Sequence, residues 1–127
     1  YAAANQLDVV FYGRVPYPEM CGLLTSCDVC VNPITKGTAA SIINKHGDYA
    51  ASGLPVINTQ ETSEYRELIN TNKCGINCDN SNQVAEAILY LLKNEEDALI
   101  MGRNARSLAE NCFDRTFSYE KIYRLFE

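Results

Sequence analysis

The stretch from Asn44 to Val56 constrains the fold of this 127-residue chain more than any other. Asn44-Lys45-His46-Gly47-Asp48-Tyr49-Ala50-Ala51-Ser52 reads as a helix with one polar face, Gly53 stops it, and Pro55-Val56 opens a strand. Glycine ends helices because it enters the left-handed region without a Cβ penalty, and proline cannot continue the helix. A helix delivered into a short apolar strand by a tight turn is half of a β–α–β repeat, and such repeats build parallel sheets.

The remaining segments extend that repeat. Leu7 to Tyr12 is apolar and β-branched and ends at Gly13, which predicts a strand. Pro16-Tyr17-Pro18-Glu19 starts a helix whose apolar positions are Met20, Leu23, Leu24 and Cys27. Asp28 to Pro33 reads as a second strand, Thr38 to Ser52 as a helix, and Pro55 to Thr59 as a third strand. A short helical patch at Tyr65 to Ile69 precedes a fourth strand, Cys74 to Cys78.

Asp79-Asn80-Ser81 offers N-caps for a helix through Lys93 that buries Val84, Ile88, Leu91 and Leu92. Two more helices follow. One runs from about Glu96 to Asn111 and buries Ala98, Met101, Ala105, Leu108 and Cys112; the other starts near Ser118 and buries Ile122, Leu125 and Phe126. The fold class is therefore α/β, a Rossmann-like parallel sheet with helices on both faces, in one domain spanning 1–127.

Composition narrows the partners. A net charge of −5 and a sequence pI near 4.9 supply no basic field for nucleic acid, so no nucleic-acid partner is expected. The longest apolar runs, such as Ile88 to Leu92, are too short to span a membrane. The chain starts at Tyr1 without Met or a secretory signal, which reads as the interior of a longer protein. Six cysteines include Cys27-x-x-Cys30 and Cys74-x-x-x-Cys78, a spacing near that of zinc ligands. These fall on a helix end and on strands rather than on turns, so buried free thiols of a cytosolic protein are expected, and no metal.

Ligands of such sheets bind at the carboxyl ends of the strands. Gly13-Arg14-Val15, Ile34 to Ser41 and Thr59 to Glu64 are expected to line that crevice. Lys36-Gly37-Thr38-Ala39-Ala40-Ser41 leads into the helix, and small residues there let an anion approach backbone N–H groups and the helix dipole. Thr38 also serves as an N-cap. Ser41, Lys45, Asp48 and Ser52 share one helix face, with Asp48 suited to a ribose diol and Lys45 to phosphate charge. The competing reading pairs Lys45 with Asp48 as an exposed ion pair. His46 has neither a nucleophile nor metal-ligand partners nearby and is expected to be an ordinary helix residue.

Three ordered blocks carry a resemblance: Val9-Val10-Phe11-Tyr12-Gly13-Arg14-Val15, Leu23 to Pro33, and Asp48-Tyr49-Ala50-Ala51-Ser52-Gly53-Leu54-Pro55-Val56. Together they resemble the donor domain of the glycosyl transferases group 1, the retaining, GT-B-fold enzymes of family 4. Tyr65-Arg66-Glu67-Leu68-Ile69, Gly75-Ile76 and Phe117-Ser118-Tyr119-Glu120 extend the similarity towards the C-terminus.

The resemblance implies a nucleotide-sugar donor, UDP- or GDP-linked, held without metal or other cofactor. It places Gly13, Arg14 and Val15 by the nucleobase, Thr38, Ala39, Ala40, Ser41 and Lys45 by the diphosphate and sugar, and Asp48 on the ribose. The family's two glutamates fall on Ala40 and Asp48, so the acid that contacts the sugar is absent and the second is shortened. Asn44-Lys45-His46-Gly47-Asp48-Tyr49 fits a related branch better.

It also implies that the domain's first two strands, a diphosphate-clamping Arg and Lys, and the acceptor-binding N-terminal domain lie outside this sequence. The chain should then repack, leave a sheet edge open, or pair with a second copy as a homodimer, with no turnover by itself. The expected setting is hexosyl transfer to a polysaccharide or glycolipid acceptor in the cytoplasm, with peripheral membrane association of the intact protein. No catalytic residue is assigned. A GT-B-fold nucleotide-sugar epimerase and a non-catalytic nucleotide-binding module are the alternatives.

Overall fold

Three short parallel strands, β1 (Cys30–Asn32), β2 (Val56–Asn58) and β3 (Gly75–Asn77), form one sheet in the order β1-β2-β3 in a computed structural model that describes residues 3–38, 42 and 44–126, the side chain of Phe117 excepted. Cys30 pairs with Val56 and Val56 with Gly75, while Asn32, Asn58 and Asn77 lie side by side at the carboxyl ends. The helices are α1 (Tyr17–Thr25), α2 (Asn44–Ala51), α3 (Ser63–Asn72), α4 (Ser81–Lys93), α5 (Glu95–Leu108) and α6 (Arg115–Tyr123). A π-helical turn, Ala109–Phe113, joins the last two.

The pleat sends alternate residues to opposite faces, and each face finds its own helices. Cys30 and Val56 pack with Tyr65 and Ile69 of α3 and with Ala105 and Leu108 of α5. Ile57 packs on the other side with Ala87 and Leu91 of α4, supported by Val31, Ile76, Ala98 and Met101. Both faces are covered, as the repeat requires. Asn80 caps α4 by accepting from the Gln83 N–H, which fixes the start of that helix.

Gly53 takes φ 72° after α2, so the chain reverses into β2. Gly102 of α5 crosses this turn so closely that a Cβ there would lie 2.3 Å from the Gly53 carbonyl oxygen. That approach seats α5 across the sheet.

The structure departs from the sequence reading in three places. Leu7 to Tyr12 forms no strand; its apolar side chains are exposed, Phe11 to 84%. A strand exists through the ladder it makes with a neighbour, and nothing pairs with this segment among the described residues.

The helix expected from Thr38 begins instead at Asn44. The Thr38 N–H and hydroxyl both donate to the Thr35 carbonyl, closing a turn around Gly37 (φ 73°). Ala39, Ala40, Ser41 and Ile43 lie outside the described residues.

At the C-terminus, Ile122, Leu125 and Phe126 are exposed rather than buried, because α6 packs on the π-helical turn and away from the sheet. Leu92 of α4 and Cys112 are likewise exposed.

Candidate functional site

Asp48 sits on the face of α2 turned away from the sheet, with Asn44, Gly47 and Ala51, where it lines an open cavity of about 740 Å³. The first turn of α1 closes on it: Tyr17 Oη donates to Asp48 Oδ1 at 2.9 Å. The carboxylate, with a smaller contribution from Cys21, favours the protonated phenol and pushes the Tyr17 pKa up to about 12. One carboxylate oxygen is thereby engaged by the N-terminal residue of α1. The far wall comes from the end of α5 and the π-helical turn, with Arg106, Glu110, Phe113 and Arg115. Arg106 binds the Glu110 carboxylate at 2.7 Å and the Ala51 carbonyl at 2.8 Å, tying that wall to the end of α2.

Beneath α2 the strand ends form a polar floor. Asn32 Nδ2 donates to Asn58 Oδ1 at 2.8 Å, and Asn58 Nδ2 to Asn77 Oδ1 at 2.9 Å. Asn77 continues the row to Asn70 Oδ1 and the Arg66 carbonyl. Gln60 closes it from above, its N–H donating to Asn58 Oδ1.

His46 of α2 drops into this layer. It is fully buried, its ring stacked on Tyr65 at 3.5 Å between centroids, with Asn32 Nδ2 3.2 Å from Nε2. Since an amide nitrogen only donates, Nε2 accepts and the proton resides on Nδ1. Burial, reinforced by the Lys45 charge, lowers the His46 pKa to about 4, so the imidazole is neutral. Asn32 Oδ1 is buried without a hydrogen-bond partner.

The rim over the strand ends is stitched across β1 and β2. Thr59 Oγ1 accepts from the Ile34 N–H at 2.8 Å, and Glu61 accepts from the Gly37 N–H at 3.2 Å. These bonds bring two of the expected crevice loops together. A second, more apolar cavity of about 580 Å³ opens beside Val29, Leu54 and Pro55, at the opposite ends of the strands.

Of the residues singled out from sequence, the structure places Asp48 on the cavity, in contact with Tyr17 of α1, whereas Gly13, Arg14 and Val15 do not line it. Lys45 makes no ion pair with Asp48 and does not line the cavity. Ser52 turns towards the sheet, its hydroxyl donating to the Tyr49 carbonyl near Cys30, so it leaves the face shared with Asp48. Arg106, Phe113 and Arg115 were not foreseen, and no local motif marks them. Among the described residues no cluster of His, Cys, Asp and Glu could hold a metal ion. No helix there is long and apolar enough to cross a membrane.

The architecture is that of a Rossmann-like α/β domain with its polar groups gathered at the carboxyl ends of the strands. The family model of the glycosyl transferases group 1 matches residues 1–94, and the chain belongs to that family. No curated protein and no solved structure matches it.

Proposed function

We propose that this chain binds the nucleotide-sugar donor of a retaining glycosyltransferase that passes a hexose to a polysaccharide or glycolipid acceptor in the cytoplasm. The observation that carries the reading is the meeting of Asp48 with Tyr17 of α1 at a cavity on the outer face of α2. A carboxylate with one oxygen already engaged by Tyr17 keeps its second oxygen for the ribose diol of a UDP- or GDP-sugar. The base would lie towards Gly13, Arg14 and Val15, which precede Tyr17 in the chain.

The diphosphate would then extend towards the turn at Lys36, Gly37 and Thr38, where the Lys36 ammonium would offset the charge that develops on the leaving group. Asp48 and Tyr17 bind and orient in this scheme. No residue is assigned as a general base.

Calorimetric titration of the chain with UDP-glucose and GDP-mannose tests it. Hydrogen bonds to a charged group are worth about 1.5–3 kcal/mol, so Asp48→Ala should weaken the preferred donor roughly ten- to 150-fold. An unchanged dissociation constant sinks the ribose assignment.

A further inference from the structure

Lys36 and Gly37 lie on the turn after β1, and Glu61 follows the end of β2. Glu61 Oε2 accepts from the Gly37 N–H at 3.2 Å, while Oε1 stands 3.5 Å from Lys36 Nζ. A backbone N–H presented by a left-handed glycine, beside an ammonium at the carboxyl end of a parallel strand, is a donor set suited to a phosphate oxygen. Here a carboxylate takes both donors.

The pair is not there for stability, since the Lys36 and Glu61 side chains are 68% and 46% exposed and such surface pairs contribute little. Its base is held separately. Thr59 Oγ1 accepts from the Ile34 N–H at 2.8 Å and donates to the Ile34 carbonyl at 2.9 Å. Glu61 can therefore swing away without separating the two loops.

We propose that Glu61 is a resident anion in the phosphate position of this rim, and that an incoming diphosphate must displace it to reach Lys36 and Gly37. The identity of the ligand rests on the donor reading; the position of the anion does not. Glu61 thus sets a threshold: a ligand with one negative charge only matches the carboxylate, whereas a diphosphate outcompetes it. Once displaced, the carboxylate stays on the rim and opposes the bound anion.

The test is titration of the full chain with inorganic pyrophosphate. Glu61→Gln keeps an acceptor for the Gly37 N–H and removes only the charge. It should bind pyrophosphate about five- to tenfold more tightly than the unsubstituted chain, the gain expected from deleting one like charge near a solvent-exposed site. Lys36→Gln should weaken binding and shrink the gain from Glu61→Gln.

If Glu61 merely supports the turn, Glu61→Gln is neutral and Glu61→Ala weakens binding, which overturns the proposal. So does a Glu61→Gln chain that binds no pyrophosphate. Parallel titrations with UDP-glucose and GDP-mannose separate the two readings. Tighter pyrophosphate binding without affinity for either sugar nucleotide keeps the resident anion and removes the donor. Sugar-nucleotide binding that depends on Asp48 but gains nothing from Glu61→Gln removes the resident anion alone.

Discussion

Leu7 to Tyr12 and the strand β2 are built from the same kinds of residue and end in opposite states. Val9, Val10, Phe11 and Tyr12 have high β-propensity, as do Val56 and Ile57, yet the first group is exposed and Ile57 is wholly buried. β2 has β1 on one side and β3 on the other, and helices cover both of its faces. Leu7–Tyr12 has no ladder partner among the described residues. Propensity thus describes what a segment suits, while neighbours decide whether it becomes a strand.

The sharpest break of this comparison is Ile57→Ala, which should cost about 3–4 kcal/mol in urea unfolding, because a buried branched side chain leaves a cavity that close-packed strands cannot fill. A loss below 1 kcal/mol would mean that the β2 core is no better packed than the N-terminal segment. Next comes Asn58→Ala, expected to cost about 2–3 kcal/mol, since it strands Asn32 Nδ2 and Asn77 Oδ1 without their shared partner. Recovery of full stability in that variant would show that the polar row is dispensable.

The third effect is one of pH. The folded His46 pKa of about 4 lies below its unfolded value of 6.5, so the unfolded chain takes up the proton first as pH falls. The His46 contribution is complete above about pH 6.5 and is lost progressively towards pH 4. Melting temperatures across that window should fall in the unsubstituted chain and fall less in His46→Gln; identical slopes would exclude His46 as the origin. The smallest effect belongs to Phe11→Ser, which should change stability by less than about 0.5 kcal/mol. A loss above 1.5 kcal/mol would show that the segment packs in solution.

Much of the fold was readable because it is locally encoded. Asn80 followed by apolar spacing marked α4, Gly53 and Pro55 marked the turn into β2, and the short runs around Val31, Ile57 and Ile76 became the three strands. The misreadings have tertiary causes. Leu7–Tyr12 lacked a neighbour, and the apolar residues of α6 lacked a surface to cover.

At the candidate site, helical spacing alone put Asp48 on the outer face of α2, where the structure has it. The Asn32–Asn58–Asn77 row was not, because its members are separated by whole helices and meet only when the sheet forms. Arg106, and the pairing of Glu61 with Gly37 within the expected crevice, escaped for the same reason: Arg106 meets Ala51, and Glu61 meets Gly37, across distant segments.

The thiols divide along the same line as the two apolar segments. Cys30, Cys74 and Cys78 are buried in or beside the sheet, whereas Cys27 and Cys112 are exposed. Burial raises the pKa of all three inner thiols, Cys30 and Cys74 to about 11, so they are short of thiolate as well as of access. The thiolate is the form that reacts with alkylating reagents. A maleimide pulse followed by digestion and peptide mass mapping therefore records excursions of the sheet as added label: β1 reports through Cys30, and the two flanks of β3 through Cys74 and Cys78. The protein carries, at no cost to its surface, a covalent record of how often its interior opens.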